Sequence, residues 1–562
     1  MKKRPLQLSP RAFWLCVALL VCLRCTLTGF QQAYTWVGGA PLDDELMFRA
    51  ANAVSAGEWL GSYDYLTLSK AMFFPVWAAL LHALHLPYLV AGAGLWCAAS
   101  LLAAFAFSPL WRQKQAARLY TLALFALLAF LPSSWAAYTL RVYRDNIFPA
   151  LCLGFFAGMA GAALRMVRPA DEKIRLWPWL LAAGVGLGCA YLDREDAGLF
   201  LLPFSVAATL IMLVVLVRAR RWRSCLGQLL PYGVLAAAVL SFCTLNYSHY
   251  GVFALSDFSE GSFAAAMGAM MRVDTDSEEP LLSVPADARA RIYEAVPELE
   301  PLAYWLEEDP QMQNDFRDPQ LDDYRAGSFY WAIRRAAQYE GIYDTPQKAA
   351  AYWQQVADAI NAACDDGTLP SRTGRRAATS QPIKASYVAP TLAETVRGIV
   401  HVVTFADCAP YETLRSIGTE EDIARWSDYL HCGFNNAAEA GKDTPYYGPW
   451  QKLAFACMEA IAWVYRALLW LALLAGLVCH FGALPRVLHD PAAHKVMPWL
   501  LLLGILGIAL LRCAMIAFVE VSSFGIGTST MYLATVHPLF LLYAFVSVAA
   551  WGRPHRGKEI TA

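Results

Sequence analysis

Residues 177–218 read WPWLLAAGVGLGCAYLDREDAGLFLLPFSVAATLIMLVVLVR. Two apolar runs, 177–193 and 198–217, meet at the charged turn Asp193-Arg194-Glu195-Asp196. Each run is close to the length that carries a helix across roughly 30 Å of hydrocarbon. A surface helix of a soluble protein would alternate apolar and polar faces, whereas both runs are apolar all round until the turn. A helix in lipid satisfies its own backbone groups, so the stretch reads as a membrane hairpin.

The same pattern recurs outward from this hairpin. Apolar runs at 11–30, 88–109, 118–137, 147–166, 228–247, 455–481, 497–518 and 531–551 complete a set of about ten spans. The 562 residues are 57% hydrophobic and only 16% charged, where a soluble chain carries about a quarter. The expected fold is therefore an all-α polytopic membrane protein with a mainly helical extracytoplasmic domain inserted between spans seven and eight. The apolar stretch Ala71–Leu86 is short and contains Pro75, His82 and His85, so it is read as an interfacial or re-entrant helix. The N-terminal run follows Lys2-Lys3-Arg4 but leads to no convincing small-residue cleavage site, and is read as a retained first span.

Basic residues set the expected orientation, since cytoplasmic loops are enriched in Lys and Arg. One side receives Lys2, Lys3, Arg4 and Arg11, then Arg112, Lys114 and Arg118, then Arg165, Arg168, Lys173 and Arg175. It also receives Arg218, Arg220, Arg221 and Arg223, then Arg486 and Lys495, and finally Arg553, Arg556 and Lys558. Both termini are thus expected in the cytoplasm. Loops 31–87, 138–146, 194–197, 248–454 and 519–530 fall on the other side. Three parts follow: a transmembrane module at 1–247 carrying the first outer loop at 31–87, an outer helical domain at 248–454, and C-terminal spans at 455–562. Helices are expected in the outer domain at Ala286–Tyr293, Ala326–Tyr339, Pro346–Ala363 and Leu392–Val403. Of the 14 cysteines, Cys364, Cys408 and Cys432 lie in this domain, and Cys408–Cys432 is the disulfide the compartment suggests.

Charges at the edge of the membrane are costly and mark function where they cluster. Three clusters share the outer side: Asp43-Asp44-Glu45 with Arg49, then Arg141, Arg144 and Asp145, then Asp193-Arg194-Glu195-Asp196. Taken singly, each also fits a solvated patch, interfacial snorkelling or a self-neutralising turn. Their coincidence on one side favours a common site. Carboxylates beside cations there suit transfer from an anionic lipid-linked donor, with a carboxylate as base and arginines gripping a phosphate leaving group. A divalent ion on paired acids is compatible, although no spacing demands one.

The order of motifs in the first 220 or so residues resembles the GT-C superfamily of membrane glycosyltransferases. The likeness is to the branch of protein O-mannosyltransferases and the aminoarabinose transferase of lipid A. It is carried by Asp44-Glu45-Leu46-Met47-Phe48, Ala56-Gly57-Glu58-Trp59, and Leu68-Ser69-Lys70-Ala71 with Phe73-Phe74-Pro75. Tyr143-Arg144-Asp145-Asn146 and Gly184-Val185-Gly186-Leu187-Gly188 leading to Arg194 extend it. Phe48 stands where the family has Tyr, and the family's Lys-Pro-rich turn is reduced to Lys70 and Pro75. The resemblance implies Asp44 as the acid that activates the acceptor, Asp43 as its neighbour or substitute, and Asp145 in support. These three acids would be the ligands of any metal ion. It implies Arg194, Arg144, Arg141 and Lys70 as candidates for the donor phosphate.

The expected activity is inverting transfer of a sugar from a polyprenyl-phosphate donor to a cell-envelope glycan, lipid or protein outside the bacterial cytoplasmic membrane. Nucleic acid is not expected as a partner, and no cofactor beyond the metal just mentioned is implied. A polysaccharide polymerase or ligase using a lipid-linked donor is the nearest alternative. A transporter, or a scaffold with a partner-binding outer domain, is the more distant one.

Overall fold

The computed structural model describes residues 8–37, 41–112, 116–167, 175–410, 414–436, 447–527 and 529–552. It is all-α; among the described residues the only extended pairing is isolated β-bridges. Each of the ten apolar runs is helical. Among the described residues, seven helices are long and apolar enough to cross a membrane. An eighth span is a bent pair, Ala117–Ala129 and Pro132–Leu140, turned by 51°. The bend falls at Pro132, which has no N–H for the ladder. The remaining two are shorter: Trp177–Asp193 has 17 residues and Val536–Trp551 has 16. Val536–Trp551 is buried on most sides by its neighbours, so it is an inner helix of the bundle, as is Phe148–Met166. Ala71–Leu86 contains an 11-residue helix, Phe73–Ala83, in keeping with a segment too short to span.

Glycines bring the helices that carry the charged turns into close contact. A Cβ at Gly158 would lie 2.4 Å from the Ala183 backbone nitrogen, and one at Gly186 would lie 2.6 Å from that of Phe155. The Phe148–Met166 and Trp177–Asp193 helices therefore meet backbone to backbone. Gly184 and Gly188, one turn apart, take the Leu230–Tyr250 helix on another side, with Gly184 hard against Pro231 and Val234. Small residues four apart permit this approach in lipid, where association relies on packing. The glycine run at 184–188 thus serves two helix neighbours.

The 248–454 insertion is not uniform. Residues 263–369 build a separate core around Phe263, Leu302, Phe329, Trp353 and Ile360. Residues 402–434 instead join the main core through Val402, Phe405, Trp426 and Leu430. The expected helices appear as Ala286–Ala295, Ala326–Tyr339, Pro346–Asp365 and Val388–Thr404. Arg334, fully buried, ties the separate core to the segment between the first two spans. Its Nε donates to the Tyr65 carbonyl at 3.0 Å, and its Nη2 meets Asp257 at 2.8 Å.

The Cys408–Cys432 expectation is corrected: both are thiols, and no disulfide joins them. Cys408 is buried beside Tyr138, while Cys432 lies against the backbone of Tyr88 and Leu89, so different helices hold them. Of the basic residues used for orientation, Lys2, Lys3, Arg4, Lys114, Arg168, Lys173, Arg553, Arg556 and Lys558 lie outside the described residues.

Candidate active site

Asp43 and Asp44 sit on a single π-helical turn, Pro41–Glu45, directly before the Leu46–Ala56 helix. Such wide turns splay successive side chains and recur at functional sites. Just before them, the extended segment 33–36 bridges Arg141 at Tyr34, Phe434 at Ala33 and Ile417 at Trp36. Paired amides fix it: Tyr34 donates to the Leu140 carbonyl at 3.1 Å, and Val142 donates to that of Tyr34 at 2.9 Å. This pairing sets Arg141 beside the acidic turn although the two are about a hundred residues apart.

The two acids face different ways. Asp44 is completely buried. One of its oxygens accepts from Arg141, with Nε at 2.9 Å and Nη2 closer still. The other accepts from the Trp36 amide at 2.8 Å and the Thr35 hydroxyl at 3.3 Å. Asp43 keeps 36% of its side chain exposed. It is ion-paired to Lys70, accepts the Tyr143 hydroxyl proton at 2.8 Å, and lies 3.6 Å from Arg141.

From Asp43 the network continues through Tyr143, whose hydroxyl also accepts from Arg144 at 2.8 Å and Lys70 at 3.2 Å. Arg144 grips Glu195 through Nη1, 2.9 Å from both carboxylate oxygens, and Glu195 accepts the Ala71 amide at 2.7 Å. Arg194 pairs with Asp145 at 2.7 Å and with Asp196 at 3.3 Å. Asp196 in turn meets Arg512 at 2.7 Å. Aromatic rings wall the cations: Trp36 under Arg141 at 4.4 Å, Tyr532 under Arg194 at 4.6 Å, and Trp331 from the edge of the 263–369 core over Lys70 at 5.2 Å.

All seven expected residues, Asp43, Asp44, Asp145, Arg141, Arg144, Arg194 and Lys70, therefore lie at one end of the bundle, six of them buried and Asp43 half-buried. Tyr143, Glu195, Asp196 and Arg512 join them without having been singled out for a role. A signal existed for Arg512, a lone arginine inside the apolar run 497–518. None marked Tyr143 as the hub, because a tyrosine at a membrane edge is ordinary. Phe48, where the family has Tyr, packs on Trp426 with ring centroids 4.0 Å apart and needs no hydroxyl there.

Burial and pairing compete at each acid. Burial favours the neutral form of Asp43, but Lys70 and Arg141 outweigh it and hold the carboxyl well below the usual range. Glu195 is lowered in the same way, burial being overcome by Arg144 and the Ala71 amide. Asp44 goes the other way: complete burial pushes it up against the pull of Arg141 and the Trp36 amide. Asp145 is likewise raised by burial, against Arg194 and Arg144. Among the described residues, Asp193 is fully buried and neither of its carboxylate oxygens has a hydrogen-bond partner.

The proposed metal ligands do not fit a metal ion. Asp43, Asp44 and Asp145 are each neutralised by a different basic side chain. Among the described residues, no three His, Cys, Asp or Glu side chains group as a metal site.

No protein-family model matches the chain, and no curated protein matches it. Among solved structures it is similar to ArnT from Cupriavidus metallidurans in the apo state, at 13% identity and a TM-score of 0.31. That overlay covers 97% of this chain and 78% of the other. The same protein bound to undecaprenyl phosphate gives 12% identity, a TM-score of 0.29, and coverage of 96% and 77%. At this level the likeness carries no argument about chemistry, which rests on this chain's own residues.

Proposed function

We propose that this protein is a membrane glycosyltransferase that takes a sugar from a polyprenyl-phosphate donor. The observation that carries the reading is the position of Asp43. It is the half-exposed acid of a buried ion network, and it shares Lys70 with a hydroxyl-bearing ring and borders Arg141. Arginines and lysine grip phosphate oxygens by charge-assisted hydrogen bonds, and a carboxylate alongside can receive a proton from an acceptor hydroxyl.

The base in this reading is Asp43, and Asp44 is the group that holds Arg141 in place. Asp44 has no open face, because Arg141, Trp36 and Thr35 engage both of its oxygens. In the resting network Lys70 holds Asp43 anionic, which makes it a weak base. An incoming phosphate competes for Lys70 and Arg144. As Lys70 turns to the phosphate, Asp43 keeps only the longer contact to Arg141, its proton affinity rises, and it faces the acceptor hydroxyl. The hydroxyl oxygen attacks the anomeric carbon, its proton passes to Asp43, and the carbon–oxygen bond to phosphate breaks with inversion. Glycosyl phosphate is already a good leaving group, so positioning and charge stabilisation do most of the work.

The acceptor belongs to the cell envelope in this reading: a glycan, lipid or protein outside the bacterial cytoplasmic membrane, with both termini inside. The basic loops between the helices, Arg218 to Arg223 foremost, support that orientation. A network at the helix ends rather than at mid-membrane favours transfer over transport. The test is release of free polyprenyl phosphate from a panel of lipid-linked sugars by the full-length protein in nanodiscs. Wild type consumes at least one donor and Asp43→Asn consumes none while still binding it. A wild type inert towards the whole panel sinks the reading.

A further inference from the structure

Beside the ion network, and sharing Ala71 and Glu195 with its edge, a pocket opens to solvent. Its walls come from the first outer loop at Leu60 and 71–72, the tops of the Trp177–Asp193 and Leu230–Tyr250 helices, and the 255–260 segment. The chemistry of those walls is mixed. Phe242 and Leu255 give apolar faces, while Tyr191, Ser256, Glu195 and Glu260 give polar ones. Among the described residues that line it, two are carboxylates and none is Lys, Arg or His.

Two polar groups are already fixed. Asn246 accepts from Trp59 Nε1 at 2.8 Å and donates to the Ala254 carbonyl at 2.7 Å, so it braces the wall. The buried Ser256 hydroxyl accepts from the Phe258 amide at 3.1 Å, which leaves its own proton to donate. Glu195 is held by Arg144, which reaches both of its oxygens, and by the Ala71 amide, and those three contacts leave one acceptor site on a carboxylate that has about four.

The lining decides between occupants. A phosphate would enter against two like charges with no cation to meet it. A polyprenyl chain would strip water from carboxylates and give nothing back. A compact polyhydroxylated ring satisfies both chemistries: its hydroxyls donate to the carboxylates, and its C–H face lies on the aromatic wall. The place also fits. Lys70 precedes Ala71 in the chain, and Arg144 grips Glu195, so a phosphate drawn to Lys70 and Arg144 leaves its sugar at the pocket mouth.

We infer that this pocket is the glycosyl subsite, which holds the sugar ring of a lipid-linked donor through Glu195 and Glu260. The inference rests on the transferase reading above, but its test separates the two. Binding of undecaprenyl-phosphate pentoses and hexoses, and of bare undecaprenyl phosphate, is measured on full-length protein in nanodiscs alongside turnover. Glu260 is exposed, so Glu260→Gln removes the charge with little risk to folding. The expected result is a dissociation constant about tenfold higher for the sugar-bearing lipid, with that for the bare lipid phosphate unchanged. Equal weakening of both lipids overturns the subsite, and so does no preference for any sugar-bearing lipid in wild type. Turnover by wild type with unaltered donor binding in Glu260→Gln overturns the subsite alone. Selective binding without release of undecaprenyl phosphate overturns only the transferase reading.

Discussion

Replacing Asp44 by Asn removes a buried negative charge and leaves its partner, Arg141, in place. Arg141 is 8% exposed at its side chain, and among the described residues its only other ion pair is with Asp43 at 3.6 Å. Breaking a buried pair from one side costs about 3–5 kcal/mol, because the remaining charge stays desolvated. Asp43 lies close enough to recover part of this, and an Asn oxygen can still accept from the Trp36 amide. A net loss of about 2–4 kcal/mol is the figure that remains. Thermal unfolding of the purified protein in nanodiscs, followed at one fixed scan rate by tryptophan fluorescence, reads this as a clear drop in apparent Tm. Folded Asp44→Asn protein retains measurable turnover, whereas Asp43→Asn, whose carboxylate is partly exposed, lowers Tm by less than Asp44→Asn does and loses about 10²–10⁴ in kcat. The opposite pattern, a stable but inert Asp44→Asn beside an active Asp43→Asn, would refute the reasoning from burial and return the base to Asp44.

Tyr143→Phe removes the hydroxyl shared by Asp43, Lys70 and Arg144, and is expected to lower kcat about tenfold with the fold intact, read by donor turnover. Gly186→Val drives a branched side chain into the Phe155 backbone; helix separation should show as poor yield of folded monomer in size-exclusion chromatography. Arg334→Met leaves Asp257 without its buried partner and loosens the 263–369 core from the segment between the first two spans, which limited proteolysis detects as faster cleavage between the two. The paired acids Asp43, Glu195 and Asp196 all have lowered proton affinity, Asp196 because Arg512 and Arg194 outweigh its burial. A depressed carboxyl lends stability that is whole above its unfolded value and lost as pH falls through the folded one. The share these three acids lend should therefore be whole from neutral pH to about pH 4 and fall below it, so the gap in apparent Tm between wild type and Asp43→Asn should narrow below about pH 4.

What the sequence determined by itself is what depends on local chemistry. Apolar length marked each helix, because a lipid-crossing segment must bury its own backbone wherever it lies in the chain. The 71–86 stretch was legible as short for the same reason. The charged turns could be found because charge beside a span is expensive. Their joining could be inferred only from their common side, and tertiary structure alone supplied the pairings: Arg141 to Asp44, Lys70 to Asp43, Arg194 to Asp145. It also decided which of two adjacent acids stays partly exposed, since a π turn rotates neighbours in a way no composition encodes. Tyr143 and Arg512 became members of the site through contacts made across fifty or more residues. Cys408 and Cys432 share a domain in sequence but not a place, because packing against different helices holds them as separate thiols. Local physics writes helices and charges into the chain; which charges meet is settled by how closely the glycine-faced helices pack.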